Sequence, residues 1–172
     1  AFLKKEKPDL VGFSITTIDH RWSTKLAREI KKEIKETLTV FGGAHPTMFP
    51  DMIEEECVDF VCVGEGEYAL EELMNNIDCG IKGHTGIRNF MVKYNGQIIK
   101  NKLRNLIGDL DKMPFPDREI YYKYPLLRNL TTKKFFTGRG CPCRCAYCNK
   151  HYYQKIFPGL GTYVAYRSPE KV

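Results

Sequence analysis

The sequence predicts an α/β fold in which helices cover a parallel sheet, and two observations support this prediction. Three short apolar runs of strand length alternate with three amphipathic segments within residues 9–80. Each run ends near glycine or a small polar residue, where a parallel strand would end and its crossover helix begin. Open sheets of this kind bind ligands beyond the carboxyl ends of their strands, so a binding site is expected there.

The first strand and its helix are predicted within residues 9–36. Asp9–Thr16 is a near-continuous apolar run with β-branched residues, which suits a strand buried on both faces. Ser23 is predicted to cap the following helix, which continues to about Glu36. The apolar stripe of this helix consists of Leu26, Ala27, Ile30 and Ile34.

Two more strand–helix pairs follow. Leu38–Phe41 is the second predicted strand, and Pro50 is expected to open the next helix because proline suits a first turn. Phe60–Val63 is the third predicted strand. The helix after it is predicted from apolar residues with helical spacing, namely Leu70, Leu73, Met74 and Ile77.

A β-hairpin and a linker are predicted next. Ile87–Lys100 contains two strand-like runs around Asn95-Gly96, a pair that tolerates the positive φ angles of a type I′ turn. From Leu103 to Leu130 the chain is rich in proline, aspartate and aromatic residues, which is typical of a linker.

Composition indicates a globular protein with reduced thiols. The 172 residues are 42% hydrophobic and 28% charged, and no apolar run approaches the roughly 20 residues of a membrane span. Seven cysteines without a disulfide-like spacing favour the cytoplasm. Residues 1–100 carry 13 Lys/Arg and 16 Asp/Glu, whereas residues 101–172 carry 14 and 5. These basic residues are scattered rather than clustered, which disfavours nucleic-acid binding.

The cysteine loop, Gly140–Cys148, contains four of the seven cysteines. Its spacing is Cys141-x3-Cys145-x2-Cys148, with Cys143 left over. Three thiolates would leave one iron of a [4Fe–4S] cluster without a protein ligand, and an open iron can bind a substrate. A structural zinc site and a chance grouping are the alternatives, but zinc sites usually combine two such cysteine pairs across a longer gap.

The cysteine loop resembles that of the radical S-adenosylmethionine (SAM) superfamily, which reads C-x3-C-x-aromatic-C. Tyr147 stands at the aromatic position, and Arg139–Pro142 matches the arginine-glycine-cysteine-proline often seen there. The resemblance implies that Cys141, Cys145 and Cys148 bind the cluster while SAM chelates the free iron. Tyr147 is then a cofactor-binding residue. An electron from the cluster would cleave SAM and release a 5′-deoxyadenosyl radical.

The three predicted strand ends resemble the latter half of the cobalamin-binding domain that precedes this loop in a large branch of the superfamily. The resemblance rests on Ser14, Phe41–Thr47 and Gly64–Glu67. It implies an incomplete Rossmann-like (flavodoxin-like) sheet that holds the nucleotide tail of the corrinoid in a slot. The implied contacts are Ser14, Thr16, Gly42, Gly43, Glu65 and Gly66.

Several cysteines and histidines are not assigned to a cofactor. The family's D-x-H-x2-G loop, whose histidine can bind cobalt, does not occur, and His20 and His45 are interpreted as polar loop residues. Cys57 and Cys62 are interpreted as buried thiols. Cys79 has no partner motif.

The same resemblance implies the domain organisation. Asp109–Asp117 is similar to the family's interdomain linker. Residues 1–80 would be the end of the cobalamin-binding domain, residues 81–130 the hairpin and linker, and residues 131–172 the start of a TIM-like radical SAM barrel. Lys133–Thr137 would be the first barrel strand. The chain is therefore expected to be a fragment cut at both ends, inactive alone and weak in cobalamin binding.

The function implied for the intact protein is methyl transfer to an unreactive carbon or phosphorus centre. It would require an electron donor and a small-molecule substrate, and no catalytic residue is assigned. An anaerobic tetrapyrrole cyclase and a tRNA methylthiotransferase are the alternative enzymes. A zinc-stabilised or electron-carrying binding module is the non-enzyme alternative.

Overall fold

The computed structural model describes residues 2–172, without the side chains of Phe2 and His151, and divides into two compact units. The first unit ends at Arg104, and the second comprises Asn105–Val172. The predicted hairpin lies in the first unit, where it extends the sheet. Among the helices of residues 2–172, none combines the length and apolarity that a membrane span requires.

A five-stranded sheet forms the centre of the first unit. Its strands lie side by side in chain order: β1 (Leu10–Ser14), β2 (Leu38–Gly42), β3 (Phe60–Cys62), β4 (Phe90–Tyr94) and β5 (Gln97–Lys100). The first three strands are parallel, with Val40 opposite both Gly12 and Phe60. β4 is antiparallel to β3, and β5 is antiparallel to β4. The predicted α/β fold is therefore confirmed.

Helices connect these strands and begin at positions that the sequence only partly predicted. They are α1 (Phe2–Glu6), α2 (His20–Glu33), α3 (Ala44–Met48), the 3₁₀ helix Pro50–Glu54 and α4 (Glu67–Asp78). The prediction that Ser23 caps α2 is wrong, because Ser23 is buried inside the helix. The chain turns earlier, where the Asp19 carboxylate accepts hydrogen bonds from the backbone and hydroxyl of Thr16.

Helix α3 was not predicted, and the helix predicted at Pro50 is a short 3₁₀ helix. Pro46 lies inside α3, where proline usually signals a break. It is tolerated because it occupies the first turn, whose N–H groups have no partner within the helix. The structure thus places a helix N-terminus directly after Gly43.

One core cluster of the first unit lies between α4 and the sheet. Its members are buried apolar side chains: Val40, Phe60, Cys62, Ala69, Leu73, Ile87, Phe90 and Val92. Leu73 is completely buried, whereas Leu70 and Met74 on the same helix remain 41% and 39% exposed. Burial of one stripe of α4 fixes the position of its N-terminal loop, which follows β3.

The hairpin turn has the predicted geometry. Asn95 and Gly96 have φ angles of 49° and 75°, and they join Tyr94 to its partner Gln97. Positive φ at both central residues matches the twist of an antiparallel pair.

The second unit contains short elements. They are the 3₁₀ helix Leu110–Lys112, α5 (Glu119–Tyr122), α6 (Pro125–Arg128), β6 (Gly138–Arg139), α7 (Lys150–Ile156), β7 (Ala165–Tyr166) and the 3₁₀ helix Pro169–Lys171. The prediction of a strand at Lys133–Thr137 is wrong. Strand β6 begins only at Gly138, where it pairs antiparallel with β7, and Phe135 and Phe136 before it are 65% and 87% exposed.

Candidate functional site

Backbone hydrogen bonds connect the loops that follow β1 and β2 at the carboxyl edge of the sheet. The Ile15 N–H donates to the Gly42 carbonyl over 2.9 Å, and the His45 N–H donates to the Ile15 carbonyl over 3.2 Å. Ser14 ends β1 and is exposed. The predicted contacts Ser14, Gly42 and Gly43 therefore lie together at one edge.

Gly43 is required at its position by conformation and by space. Its φ angle is 95°, which L side chains rarely adopt. A Cβ atom here would lie 2.8 Å from the Ile15 carbonyl oxygen and 3.3 Å from the Ser14 hydroxyl oxygen. At Gly42 a Cβ atom would make only an ordinary contact of 3.6 Å with the Cys62 Cβ. Glycine at position 43 therefore allows the loop after β2 to pack directly against Ile15 and Ser14.

The Thr16 hydroxyl is engaged within its own loop. It donates to the Asp19 carboxylate over 2.7 Å, while the Thr16 N–H donates to the same oxygen over 3.2 Å. These two hydrogen bonds lower the pKa of the Asp19 carboxyl. Thr16 can still accept a hydrogen bond from a ligand, but its own hydrogen is already used.

Glu65 and Gly66 form the loop between β3 and α4, and two buried side chains hold this loop. The Glu65 carbonyl accepts a hydrogen bond of 2.7 Å from the Asn89 amide. The preceding Gly64 N–H donates to the Thr47 hydroxyl over 3.0 Å. Sequence reasoning missed Asn89 and Thr47, because their partners lie 24 and 17 residues away along the chain.

His20 and His45 form a pair, and the interpretation of both as loop residues is wrong. His20 begins α2, and His45 lies in α3 with only 8% of its surface exposed. Their ring centroids are 4.3 Å apart, and the His45 Nδ1 lies 3.2 Å from the Thr17 hydroxyl. Burial, followed by the charge of His20, lowers the pKa of His45. Both effects favour the neutral form of His45 over the charged form.

An open cavity of about 500 Å³ borders the histidine pair. Phe49 and Met52 form its apolar wall, and the remaining lining residues are acidic: Asp51, Glu54, Glu55 and Glu56. The Phe49 ring lies 5.0 Å from the His45 ring. This cavity extends the carboxyl edge of the sheet beyond the residues predicted from the sequence.

The cysteine loop begins at a second conformationally restricted glycine. Gly140 has a φ angle of 76°, and a Cβ atom there would overlap the Tyr163 carbonyl oxygen. The loop then turns so that the Cys148 N–H donates to the Cys145 carbonyl over 3.0 Å. Cys141 and Cys148 are half-buried, and Cys145 is exposed. All three thiols are free of disulfides.

Cys143 lies beside the predicted ligands. A hydrogen bond with the Cys141 thiol, strengthened by the charges of Cys141 and Cys145, raises the pKa of Cys143. Within residues 2–172 the structure does not gather three or more metal-binding side chains around one point. The donor set itself, three disulfide-free thiols within Cys141–Cys148, fits a soft metal centre. The ligand assignment and the role of Tyr147, which is 94% exposed, stay predictions.

The remaining cysteines are placed as predicted. Cys57 and Cys62 are buried, and burial raises the pKa of Cys62 to about 12. Burial thus disfavours the thiolate form that binds a metal. Cys79 is exposed at the end of α4.

Comparison with known proteins places the fold and the site in context. Residues 1–74 match the family model "B12 binding domain". The chain is 32% identical over 154 residues to the uncharacterized methyltransferase PH0819 of Pyrococcus horikoshii, covering 86% of this chain and 32% of that protein. It is 28% identical to the anaerobic magnesium-protoporphyrin IX monomethyl ester cyclase of Rubrivivax gelatinosus, covering 84% and 27%.

A third relative and a solved structure agree with these matches. The cobalamin-dependent radical SAM methyltransferase TokK of Streptomyces tokunonensis is 25% identical, covering 83% of this chain and 22% of that protein. The cobalamin-dependent S-adenosylmethionine radical enzyme OxsB superimposes with a TM-score of 0.72 at 19% identity, covering 99% and 23%. The chain thus spans about a third or less of the length of these proteins. The resemblance to cobalamin-binding radical SAM enzymes, predicted from the sequence, is therefore confirmed.

Proposed function

We propose that this chain is part of a cobalamin-dependent radical SAM methyltransferase that modifies an unreactive centre of a small molecule. The observation that carries the proposal is the order of two cofactor motifs in one chain. Residues 1–74 match a B12-binding domain, and the cysteine loop follows at residues 140–148. Two relatives support the proposal: one is named as a methyltransferase, and the other as a cobalamin-dependent radical SAM methyltransferase.

The cysteine loop would hold a [4Fe–4S] cluster through Cys141, Cys145 and Cys148. When bound, the cluster supplies the electron that cleaves SAM and yields a 5′-deoxyadenosyl radical, so an external electron donor is required. The chain's own contribution is to position the thiols. Gly140 allows the backbone to pass against the Tyr163 carbonyl, and the Cys145–Cys148 hydrogen bond keeps the last two thiols on one turn.

The slot at the carboxyl edge of the sheet would hold cobalamin, which carries the methyl group. The fit rests on the loop after β2, which Gly43 allows to pack against Ile15 so that backbone groups and the Ser14 hydroxyl lie together at the carboxyl edge of the sheet. Ser14 offers an exposed hydroxyl, and Thr16 offers acceptor lone pairs. Gly42, Glu65 and Gly66 would complete the wall with backbone groups. The buried thiols, which favour a reducing compartment, are in keeping with a cytoplasmic enzyme.

Product analysis of the full-length, reconstituted enzyme tests this proposal. A methyltransferase of this kind consumes SAM as radical source and as methyl donor, so 5′-deoxyadenosine and S-adenosylhomocysteine should both form. The two products are separated by liquid chromatography with mass detection. Formation of 5′-deoxyadenosine without S-adenosylhomocysteine would reject methyl transfer.

That rejecting result would favour the second candidate, an anaerobic tetrapyrrole cyclase. The specific observation in its favour is the 28% identity to the Rubrivivax gelatinosus cyclase over 84% of this chain. Incubation with a magnesium-protoporphyrin monomethyl ester, followed by visible absorption, distinguishes it from the methyltransferase. A tRNA methylthiotransferase is less well supported, because burial of Cys57 and Cys62 raises the pKa of both thiols and disfavours their use as ligands of a second cluster.

Metal analysis separates these enzymes from a zinc-stabilised binding module. The anaerobically purified protein should contain iron and acid-labile sulfide in equal amounts, as expected for a [4Fe–4S] cluster. One zinc per chain with no sulfide would instead identify a closed structural site.

A further inference from the structure

The segment Gly64–Gly66, which follows β3, is held from two sides by side chains outside the predicted contacts. On one side lies Thr47, which is 2% exposed, and on the other lies Asn89, which is 4% exposed. We propose that Thr47 and Asn89 are positioning residues that set the width of the cofactor slot. The inference rests on the proposed function in one respect only, namely that the slot binds a corrinoid.

Thr47 joins the two glycine-containing loops. Its hydroxyl donates to the Gly43 carbonyl over 2.8 Å and accepts from the Gly64 N–H over 3.0 Å. Gly64 has a φ angle of 87°, a left-handed conformation that glycine adopts readily. A single hydroxyl therefore spans from the loop after β2 to the loop after β3. Few side chains other than threonine and serine can donate and accept at this distance from the backbone.

Asn89 holds the next residues from the side of the hairpin. Its amide donates to the Glu65 carbonyl over 2.7 Å, and its backbone carbonyl accepts from the Val63 N–H over 2.9 Å. The side-chain oxygen accepts from the Arg104 N–H over 2.6 Å. Asn89 has a φ angle of 73°, a conformation that asparagine tolerates better than most residues. Asparagine therefore suits this position both because it tolerates the positive φ angle and because its side-chain amide makes two hydrogen bonds.

These bonds matter for binding because the segment between them carries two predicted corrinoid contacts. Glu65 and Gly66 would contact the cofactor through backbone groups, whose positions depend on the dihedral angles of the loop. With Thr47 and Asn89 in place, the loop is ordered before the ligand arrives. A loop that must be ordered on binding loses affinity without losing any contact.

The experiment compares Thr47→Val with Thr47→Ser, and it follows two signals. Valine keeps the shape but leaves the Gly64 N–H without an acceptor, whereas serine keeps the hydroxyl. Hydroxocobalamin titration of the full-length protein by visible absorption should give a dissociation constant about 5- to 10-fold higher for valine, as expected when one buried N–H loses its acceptor. Serine should restore the wild-type value.

Thr37→Val is the matched control. Thr37 is 1% exposed, and its hydroxyl donates to the Pro8 carbonyl at the amino end of β2, away from the slot. This variant should lose stability to a similar extent but keep the wild-type dissociation constant. Equal weakening by Thr37→Val and Thr47→Val would mean that Thr47 acts through general stability alone, and the inference would be wrong.

The second signal is amide hydrogen exchange at Gly64 in the cofactor-free protein, measured by NMR. Thr47→Val should speed this exchange about tenfold, consistent with loss of one protecting hydrogen bond. Asn89→Asp keeps the oxygen that faces Arg104 but removes the donor to Glu65, and it should also speed exchange at Gly64. Unchanged exchange in both variants overturns the inference. If the two variants show faster exchange at Gly64 but the wild-type protein binds no hydroxocobalamin, the corrinoid assignment fails while the positioning role stands.

Discussion

The two units of this chain present candidate cofactor sites of opposite kinds. In the first unit, the slot lies on a sheet whose central strands are buried. Gly43 packs closely against Ile15, whose backbone is hydrogen-bonded to Gly42 and His45 on either side of Gly43. In the second unit, within the described residues, only Leu110, Phe157 and Ala165 are buried, and the cysteine loop is largely exposed. The first site is formed by the fold, whereas the second is expected to be organised by its metal centre.

The largest effect is expected for substitutions in the cysteine loop, whose structure should depend on the bound metal centre. Cys141→Ala, Cys145→Ala and Cys148→Ala should each lose most of the iron and sulfide taken up on reconstitution, because each removes one of three protein ligands. Cys143→Ala should keep both, since only the other three thiols have the required spacing. Colorimetric iron and sulfide assays decide this, and electron paramagnetic resonance should detect SAM addition to reduced Cys143→Ala. Loss of the cluster in Cys143→Ala would refute the ligand assignment.

The next effect contrasts the packing of the two units. Leu73→Ala should lower the free energy of unfolding of the first unit by about 2–5 kcal/mol, because Leu73 is completely buried. Leu126→Ala should change the free energy of unfolding of the second unit by less than about 0.5 kcal/mol, because Leu126 is 80% exposed. Urea titrations followed by circular dichroism measure both. Similar losses from the two substitutions would remove the contrast between the units.

A smaller effect is expected at the glycine that shapes the slot. Gly43→Ala should destabilise the first unit by about 1–3 kcal/mol, because alanine must adopt a φ angle of 95° beside the Ile15 carbonyl. Gly86→Ala is the control, since a Cβ atom there meets nothing within 4 Å. Thermal unfolding of both variants should separate them. A neutral Gly43→Ala would show that the loop adapts, against the idea of a site formed by the fold.

The smallest effect concerns pH. His45 has a lowered pKa because it is buried next to His20. As the pH falls below about 6.5, the unfolded chain therefore binds a proton at this histidine more readily than the folded chain does. Stability is fully present above about pH 6.5 and falls as the pH drops through the lowered pKa of the folded state. His45→Gln should flatten this dependence in urea titrations between pH 5 and pH 8. The part due to His84, whose pKa burial also lowers, should remain. An unchanged slope would argue against a neutral, buried His45.

The sequence predicted the elements whose patterns are local. The apolar runs of β1 to β3 and the Asn95-Gly96 turn can each be recognised from a few consecutive residues, and the structure contains all of them. The start of α2 was misjudged because Ser23 is a good capping residue by type, yet its position is set by tertiary burial. The strand at Lys133–Thr137 was implied by the family resemblance, whereas backbone pairing begins only at Gly138.

The candidate site was predictable to a similar degree. Gly43 and the cysteine spacing are visible in the sequence because each depends on neighbouring residues. Thr47 and Asn89 were missed because their roles depend on partners across the sheet, and neither residue type signals such a partner. The His20–His45 pair was missed for the same reason, since α2 and α3 are separate elements that meet only in the folded chain.

The hairpin turn also bears on how the purified protein ages. Asn95 and Gly96 are both exposed, and glycine after asparagine leaves the backbone nitrogen free to attack the side-chain amide. Such attack releases ammonia and converts asparagine into aspartate or isoaspartate. The product adds a negative charge, and isoaspartate also lengthens the backbone by one methylene group at the position that joins β4 to β5. Stored samples should therefore develop an acidic form whose altered peptide contains residues 94–97, well away from both cofactor sites in sequence.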